Sequence, residues 1–321
     1  RFPIFDQQRG YDFLNADGYA GVRIDDFLNI EIGHGRHHIG YGDRSLLLSN
    51  YATNYFFLRT NTRIWKFNYQ NIFKELAPLS TQLVTGDSYI PKKYSASHLL
   101  SYRFTESFEM AIFEHVVFSR EDHFEFQYLN PIILYRSVEQ LLNSSDNVVI
   151  GLQAKLNVFR KIQLYGQLLI DELNYSIIRD DSTWWGNKIG GQLGVKYVNI
   201  FGIDFLDLQF ELNAIRPFTY THNRTMEDYD ITTANYSHHS QPLAHPFGNN
   251  LRELIVKLDY MPVKNLFINA RLVYTRAGID TEDFFVGQNI LRSSLERTEQ
   301  FGYNFLVGEP LDMLLLNGKV S

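Results

Sequence analysis

Segments of about ten to twelve residues in which polar and apolar side chains alternate recur along this chain, and the connections between them are lopsided. On one side the turns are a few residues long. On the other they run to roughly thirteen to thirty-two residues. Alternation with period two sends successive side chains to opposite faces of a strand. Antiparallel strands that rise and fall between short and long connections have the layout of an outer-membrane β-barrel, with short periplasmic turns and long external loops.

The pattern is clearest in the middle of the chain. Over 148–158, Val148, Ile150, Leu152, Ala154, Leu156 and Val158 share one face, while Gln153, Lys155 and Asn157 share the other. A turn at Phe159-Arg160-Lys161 leads into Ile162, Leu164, Gly166, Leu168 and Ile170, opposed by Gln163, Gln167 and Asp171. Residues 188–197 repeat the alternation, and it is cleanest at Leu206, Leu208, Phe210, Leu212 and Ala214 against Asp207, Gln209, Glu211 and Asn213. Further strands are expected near 249–260 and 266–276, joined through Pro262, which cannot donate to a ladder. Earlier segments alternate over Val22–Ile32 and Trp65–Gln70, and strands near 94–105 and 108–118 flank a Glu106-Ser107 turn. A last strand is expected over 299–308. The long connections then cover about 34–52, 74–93, 119–146, 174–186, 217–248 and 277–298, and all six emerge on one side.

A soluble β-sandwich also alternates, with its apolar face turned inward. Strands of ten to twelve residues are long for a sandwich and match a tilted membrane crossing. Aromatic residues make up 15% of the chain, and Phe104, Phe108, Phe159, Phe201, Phe205, Tyr260 and Phe267 gather near the short turns. Phe73, Phe118, Phe218 and Tyr274 lie near the long loops, so two interfacial girdles are expected. The expected fold class is therefore all-β, a transmembrane antiparallel barrel with about twelve visible strands in a single domain over 1–321. A start at Arg1-Phe2-Pro3, inside what reads as a loop, leads us to expect terminal portions outside these 321 residues.

Composition narrows the chemistry. No run of eighteen apolar residues exists, which excludes a helical membrane protein. A net charge of −6 without a basic stripe argues against nucleic acid. Cysteine is absent, so disulfides and thiolate chemistry are excluded. The charges on the polar strand faces, Lys155, Lys188, Lys196, Asp207, Glu211, Lys257, Asp259 and Arg271, mix both signs, as a wetted or internally paired lumen needs. A selective pore would favour one sign.

Eight of the ten histidines fall in the long loops, including His34, His37, His38, His238 and His239. Their spacing matches no metal motif, so local hydrogen bonding is the simpler reading. Gly33, Gly35, Gly40 and Gly42 lack the strand–loop–helix context of a phosphate cradle. Asp171, Glu172, Asp180 and Asp181 gather beside Trp184 and Trp185. Such a set could bind sugar, with indole faces on rings and carboxylates on hydroxyls, or act as acid and base on a glycosidic bond. It could equally be an acidic loop with interfacial tryptophans.

By the stretch Asn29–Ser49 (NIEIGHGRHHIGYGDRSLLLS) the chain resembles the outer-membrane capsule-assembly family known as Wzi. It looks most like the Bacteroidetes branch, which includes barrels associated with gliding motility. Leu129–Arg136, Ser145-Asp146-Asn147, Tyr165–Leu173, Trp185–Tyr197, Leu208–His222 and Gln241–Asn250 add to the resemblance in chain order. The resemblance implies a barrel of about eighteen strands that acts as a surface lectin holding capsular polysaccharide, without catalysis or cofactor. The twelve strands counted here and the Asn223–Asn235 segment depart from that pattern.

The leading expectation is thus a non-enzymatic barrel whose external loops bind surface or capsular polysaccharide, with membrane lipid and other envelope proteins as further partners. Candidate sugar-binding residues are Trp184, Trp185, Asp180 and Asp181, then Arg36, His37, Arg136, Tyr220, His222, Tyr236 and His238. The rival expectations are a structural subunit of a motility or secretion assembly and a diffusion channel.

Overall fold

A computed structural model describes residues 16–78, 92–119, 125–130, 146–172, 174–222, 225–226, 231–232 and 234–321. Among these, thirteen strands join into one antiparallel sheet. They are β1 (Gly18–Ile24), β2 (Leu28–Gly35), β3 (Tyr55–Ile64), β4 (Phe67–Leu76), β5 (Lys93–Arg103), β6 (Phe108–Phe118), β7 (Asn147–Val158), β8 (Ile162–Glu172), β9 (Lys188–Tyr197) and β10 (Leu206–Ile215). Two short ladders then interrupt the long connection after β10. In the first, Thr225–Met226 (β11) pairs with Ile231–Thr232 (β12); in the second, Ser237–His238 (β13) pairs with Gln241–Pro242 (β14). The sheet resumes with β15 (Leu251–Val263), β16 (Leu266–Ile279) and β17 (Glu309–Val320). Every neighbour pair in the sheet is consecutive along the wall, and β1 and β17 form its two edges without pairing to each other. Among the described residues, no helix is long and apolar enough to cross a membrane.

Connections 25–27, 65–66, 104–107, 159–161, 198–205 and 264–265 lie at one end of the sheet. Connections 36–54, 77–92, 119–146, 173–187, 216–250 and 280–308 lie at the other. The predicted parity holds, but several boundaries change; Pro262, expected in a turn, lies in β15 at the Tyr260/Val263 register shift, and the turn is Lys264-Asn265 alone. Val22–Ile32 is two strands and not one, because Asp25 adopts φ 49° and turns the chain. Trp65 and Lys66 form a turn, with Trp65 at φ 53°, so alternation across them continues through a reversal. The last strand is Glu309–Val320; residues 299–308 belong to the preceding loop, where Tyr303 is buried. These shifts raise the count from about twelve to thirteen.

The faces divide as a barrel requires. On β10, Phe210 is 36% and Leu212 46% exposed on the outer face, while Glu211 and Asn213 are buried on the inner face. A sandwich would bury the apolar pair. At the short-turn end, Trp65, Phe159 and Phe201 stand 79%, 87% and 83% exposed, forming the expected aromatic girdle. At the opposite end Phe118 and Phe218 are instead buried, so they belong to packed clusters and not to a girdle. Phe118 joins Ala96, Val116 and Val148 on the outer face, where Tyr128 of the 3-10 turn Phe126–Leu129 covers them.

The inner face is not uniformly polar. Toward the long-loop end it turns apolar, with Phe113, Val149, Leu169, Ile215 and Leu251 buried in one cluster with loop residues. Toward the short turns, inner positions carry Arg63, Asn68, Arg103 and Glu109 around a separate polar pocket.

Candidate functional site: a filled lumen beneath a loop crown

The connection 36–54 turns into the lumen. Ser45 organises it: its Oγ donates to Ile39 O (2.5 Å) and accepts from Leu47 N (3.1 Å) and Leu48 N (3.2 Å). Ile39 N also donates to Leu48 O (2.8 Å), closing the loop on itself. Three consecutive leucines, Leu46, Leu47 and Leu48, are thereby fully buried against inner-face residues. Burial of each contributes about 1.5–3 kcal/mol. Gly151 on β7 makes room, since a Cβ there would collide with Leu47 Cδ2. The Gln167 amide on β8 reads the backbone from both sides, accepting from Leu46 N (2.8 Å) and donating to Ile39 O (3.0 Å).

Ionic contacts fix the loop's tip. Asp43 N (2.7 Å) and Arg44 N (3.0 Å) donate to the Glu211 carboxylate on β10. Arg44 grips Glu253 on β15 through Nε (3.0 Å) and Nη2 (3.1 Å), a two-point geometry that fixes direction as well as charge. Glu253 also accepts from His245 Nε2 (3.0 Å), Thr275 Oγ1 (3.0 Å) and Asn213 Nδ2 (3.3 Å). The Asp43 carboxylate meets Lys257 (3.0 Å) and Arg271 (2.5 Å). Burial pushes the Asp43 carboxyl up, but Lys257, Arg271 and Arg44 outweigh it and hold it below the ordinary range. Three of the lumen charges read from the sequence, Glu211, Lys257 and Arg271, are thus partners of the inserted loop.

Four predicted sugar-binding residues seal this assembly from above. Tyr220 and Tyr236 are fully buried and stack with ring centroids 5.4 Å apart. Their hydroxyls donate to Leu46 O (2.8 Å) and Leu47 O (2.5 Å). His238 accepts from Ala77 N at Nδ1 (3.0 Å) and donates from Nε2 to Asn54 O (3.0 Å). His37 lies against the Tyr55 hydroxyl (3.2 Å) and the Phe57 ring. Burial drives both histidines down to about 3, with Lys74 and Arg59 adding to the effect at His37 and His239 at His238. They are neutral, and His37 Nδ1 and both His238 ring nitrogens are engaged by the protein.

The remaining candidates form the crown. Trp185 N and Nε1 donate to Gln300 O (3.1 Å) and Oε1 (2.9 Å), tying 173–187 to 280–308. Its half-buried ring has the Arg297 guanidinium 4.0 Å and the Lys188 ammonium 4.9 Å from its centroid. Trp184 is buried beside it, with centroids 5.8 Å apart. Asp181 accepts from Thr183 N (2.8 Å) and Oγ1 (2.7 Å), bonds that hold its carboxyl below the ordinary range. Asp180 is exposed and pairs with Arg179. Arg36 is exposed, away from the tryptophans in sequence and on a different loop; His222 is half-buried, its carbonyl accepting from Ser294 N (3.4 Å). Arg136 lies outside the described residues. Sequence reasoning missed Tyr175, 75% exposed in the short helix Tyr175–Asp180, and Phe301, exposed next to Gln300. Only the loop conformation reveals that these rings face out. Among the described residues, no three His, Asp or Glu side chains gather as metal ligands.

No family model matches the sequence, and no curated protein matches it. Solved structures do match. One is Wzi of Escherichia coli, an outer-membrane protein involved in group 1 capsule assembly and a carbohydrate-binding β-barrel. It superposes with a TM-score of 0.58 at 14% identity, over 96% of this chain and 67% of that one. What is shared is the fold. The outer-membrane protein OprD of Pseudomonas aeruginosa (TM-score 0.44) and a variant of OccD1 (0.46) match at 11% identity over 94% of this chain. The alignments span 67% and 68% of those two chains, respectively. The sheet's topology and the likeness to Wzi give the chain the fold of an outer-membrane β-barrel.

Proposed function

We propose that this protein is a non-catalytic outer-membrane barrel that binds a surface or capsular polysaccharide through its long-loop end, which faces outward. One observation carries the reading: the 36–54 loop plugs the long-loop end of the lumen, leaving the crown as the surface on which a large ligand can act. Besides Trp185 the crown offers the exposed rings of Tyr175 and Phe301, the Arg179 and Arg297 guanidiniums and the Asp180 and Asp181 carboxylates. Aromatic surface with both signs of charge suits a hydroxyl-rich polymer, held by many weak contacts. Arg36 and His222 extend the surface, and Arg136 remains a candidate from sequence. Tyr220, Tyr236, His37, His238 and Trp184 act from below by holding the loops in place. The likeness to Wzi supports the reading at the level of fold, and membership of its family, including a gliding-motility branch, is part of the proposal.

A diffusion channel is disfavoured by the same filled lumen. The test is binding of purified capsular polysaccharide to the detergent-solubilised protein, compared with Trp185→Ala and with Tyr175→Ala/Phe301→Ala. Loss of at least tenfold in apparent affinity in both variants is expected. Undiminished binding in both removes the crown from the site, and no binding by the unaltered protein rejects the function.

A further inference from the structure

The membrane-facing side of the sheet carries a feature that a plain hydrocarbon-facing wall does not need. Arg252 on β15 and Arg276 on β16 are direct cross-strand neighbours, both exposed on outer-face positions near the long-loop end. Like charges placed opposite each other in a ladder are destabilising. Among the described residues the pair has one nearby carboxylate, Asp312 on β17, 3.9 Å from Arg276 Nε. That carboxylate already accepts from the Tyr274 hydroxyl (2.6 Å). Arg252 instead leans on the Phe305 ring, 5.2 Å from its centroid.

Directly beside the two guanidiniums, a groove of about 740 Å³ opens in the outer face. Leu193, Leu212, Leu254 and Tyr274 wall it, and Leu306 of the 280–308 loop contributes to its lining. Its floor is Gly191, above which no atom lies within contact distance of an added Cβ. The groove shares Leu193 with a second one of about 370 Å³ that runs over Ala154 and Gly166. An apolar trough thus descends from a cationic rim across the surface that faces hydrocarbon.

We propose that Arg252 and Arg276 bind a phosphate of an anionic membrane lipid of the lipid A kind, whose acyl chain lies in this trough. Two adjacent guanidiniums match phosphate oxygens in charge and in forked geometry. The occupant's apolar half follows from the wall residues, and its anionic half from the excess positive charge at the rim. The site is distinct from the crown, resting on the outward orientation of the apolar strand face and not on glycan binding. Failure of the polysaccharide test leaves it untouched.

The experiment uses the full chain in phosphatidylcholine nanodiscs, titrated with diphosphoryl lipid A, with its dephosphorylated counterpart, or with inorganic phosphate. Retained lipid is read by native mass spectrometry. The unaltered protein is expected to hold one diphosphoryl lipid A, at least tenfold more tightly than the dephosphorylated form, with no displacement by millimolar phosphate. Arg252→Gln/Arg276→Gln and Gly191→Phe should each reduce retention at least tenfold, while heat-modifiable gel migration reports an intact barrel. Gly191→Phe blocks the trough without touching charge, so it tests the site even if the double variant misfolds. Equal retention of dephosphorylated lipid, full competition by free phosphate, or unchanged retention in a folded variant each overturns the proposal.

Discussion

Glu253→Ala is the sharpest probe of how the lumen is kept filled. The carboxylate is fully buried and accepts from Arg44, His245, Thr275 and Asn213 at 3.0–3.3 Å. Removing it leaves a largely buried guanidinium facing a hole. Breaking one side of a buried ion pair costs about 3–5 kcal/mol, because the surviving charge keeps its desolvation penalty. Since about 1.4 kcal/mol is a factor of ten, opening of the 36–54 loop should become on the order of one hundred to a few thousand times more frequent. Amide exchange at Asp43, Arg44 and Leu46 reads this directly, because their N–H groups bond to Glu211 and Gln167 and not to Glu253 itself. Planar-bilayer recordings should show conductance steps in the variant that the unaltered protein lacks. Glu253→Gln, which keeps the side-chain volume, should give a smaller effect. If the three amides exchange in Glu253→Ala as they do in the unaltered protein, the ion pair does not hold the loop and the reasoning fails.

Leu47→Ala should destabilise the protein by about 2–5 kcal/mol in urea unfolding from lipid vesicles, since a fully buried side chain leaves a cavity. Gly151→Val should expel the loop by collision with Leu47, seen as proteolysis within 36–54 while the strands stay intact. Leu212→Arg, placing a charge on the outer face, should cost about 2–4 kcal/mol in the same unfolding assay; no cost would deny that this face meets hydrocarbon. Acid should loosen the seal over the lumen. His37 and His238 have folded values near 3 against 6.5 for the free side chain, so below pH 6.5 the unfolded chain takes up protons that the folded one refuses. Stability contributed by each is full above that value and falls by about 1.4 kcal/mol per pH unit down to about pH 3. Exchange at residues 37–55 and 236–243 should therefore rise between pH 6 and 4, and flat protection would refute it.

Strand parity was legible because a slip of one residue would turn every apolar side chain to the wrong face, so the pattern on Leu206–Ala214 had to be strict. The turn at 159–161 was legible too, but the one at Trp65 was not, since an aromatic at φ 53° continues the alternation while reversing the chain. The loop histidines and tyrosines read as ligand contacts in the sequence because their chemistry suits sugars. Tyr220, Tyr236, His37 and His238 meet that chemistry's other use, satisfying buried backbone. The three leucines at 46–48 had a readable signal, an apolar run inside a loop otherwise rich in polar residues and glycine. What could not be read was their destination, because Gln167, Glu211 and Glu253 lie more than a hundred residues away in sequence.

That separation bears on how the molecule is made. Arg44 and Glu253 are 209 positions apart, and the contacts of the inserted loop reach β8, β10 and β15. Contacts of such long sequence separation are reached slowly, after the intervening chain has been ordered. Hairpins β2–β3 through β15–β16 must therefore stand side by side before residues 39–48 have a place to dock. During biogenesis the inserted loop gains its last ionic partner only when β16, which carries Arg271, is laid down.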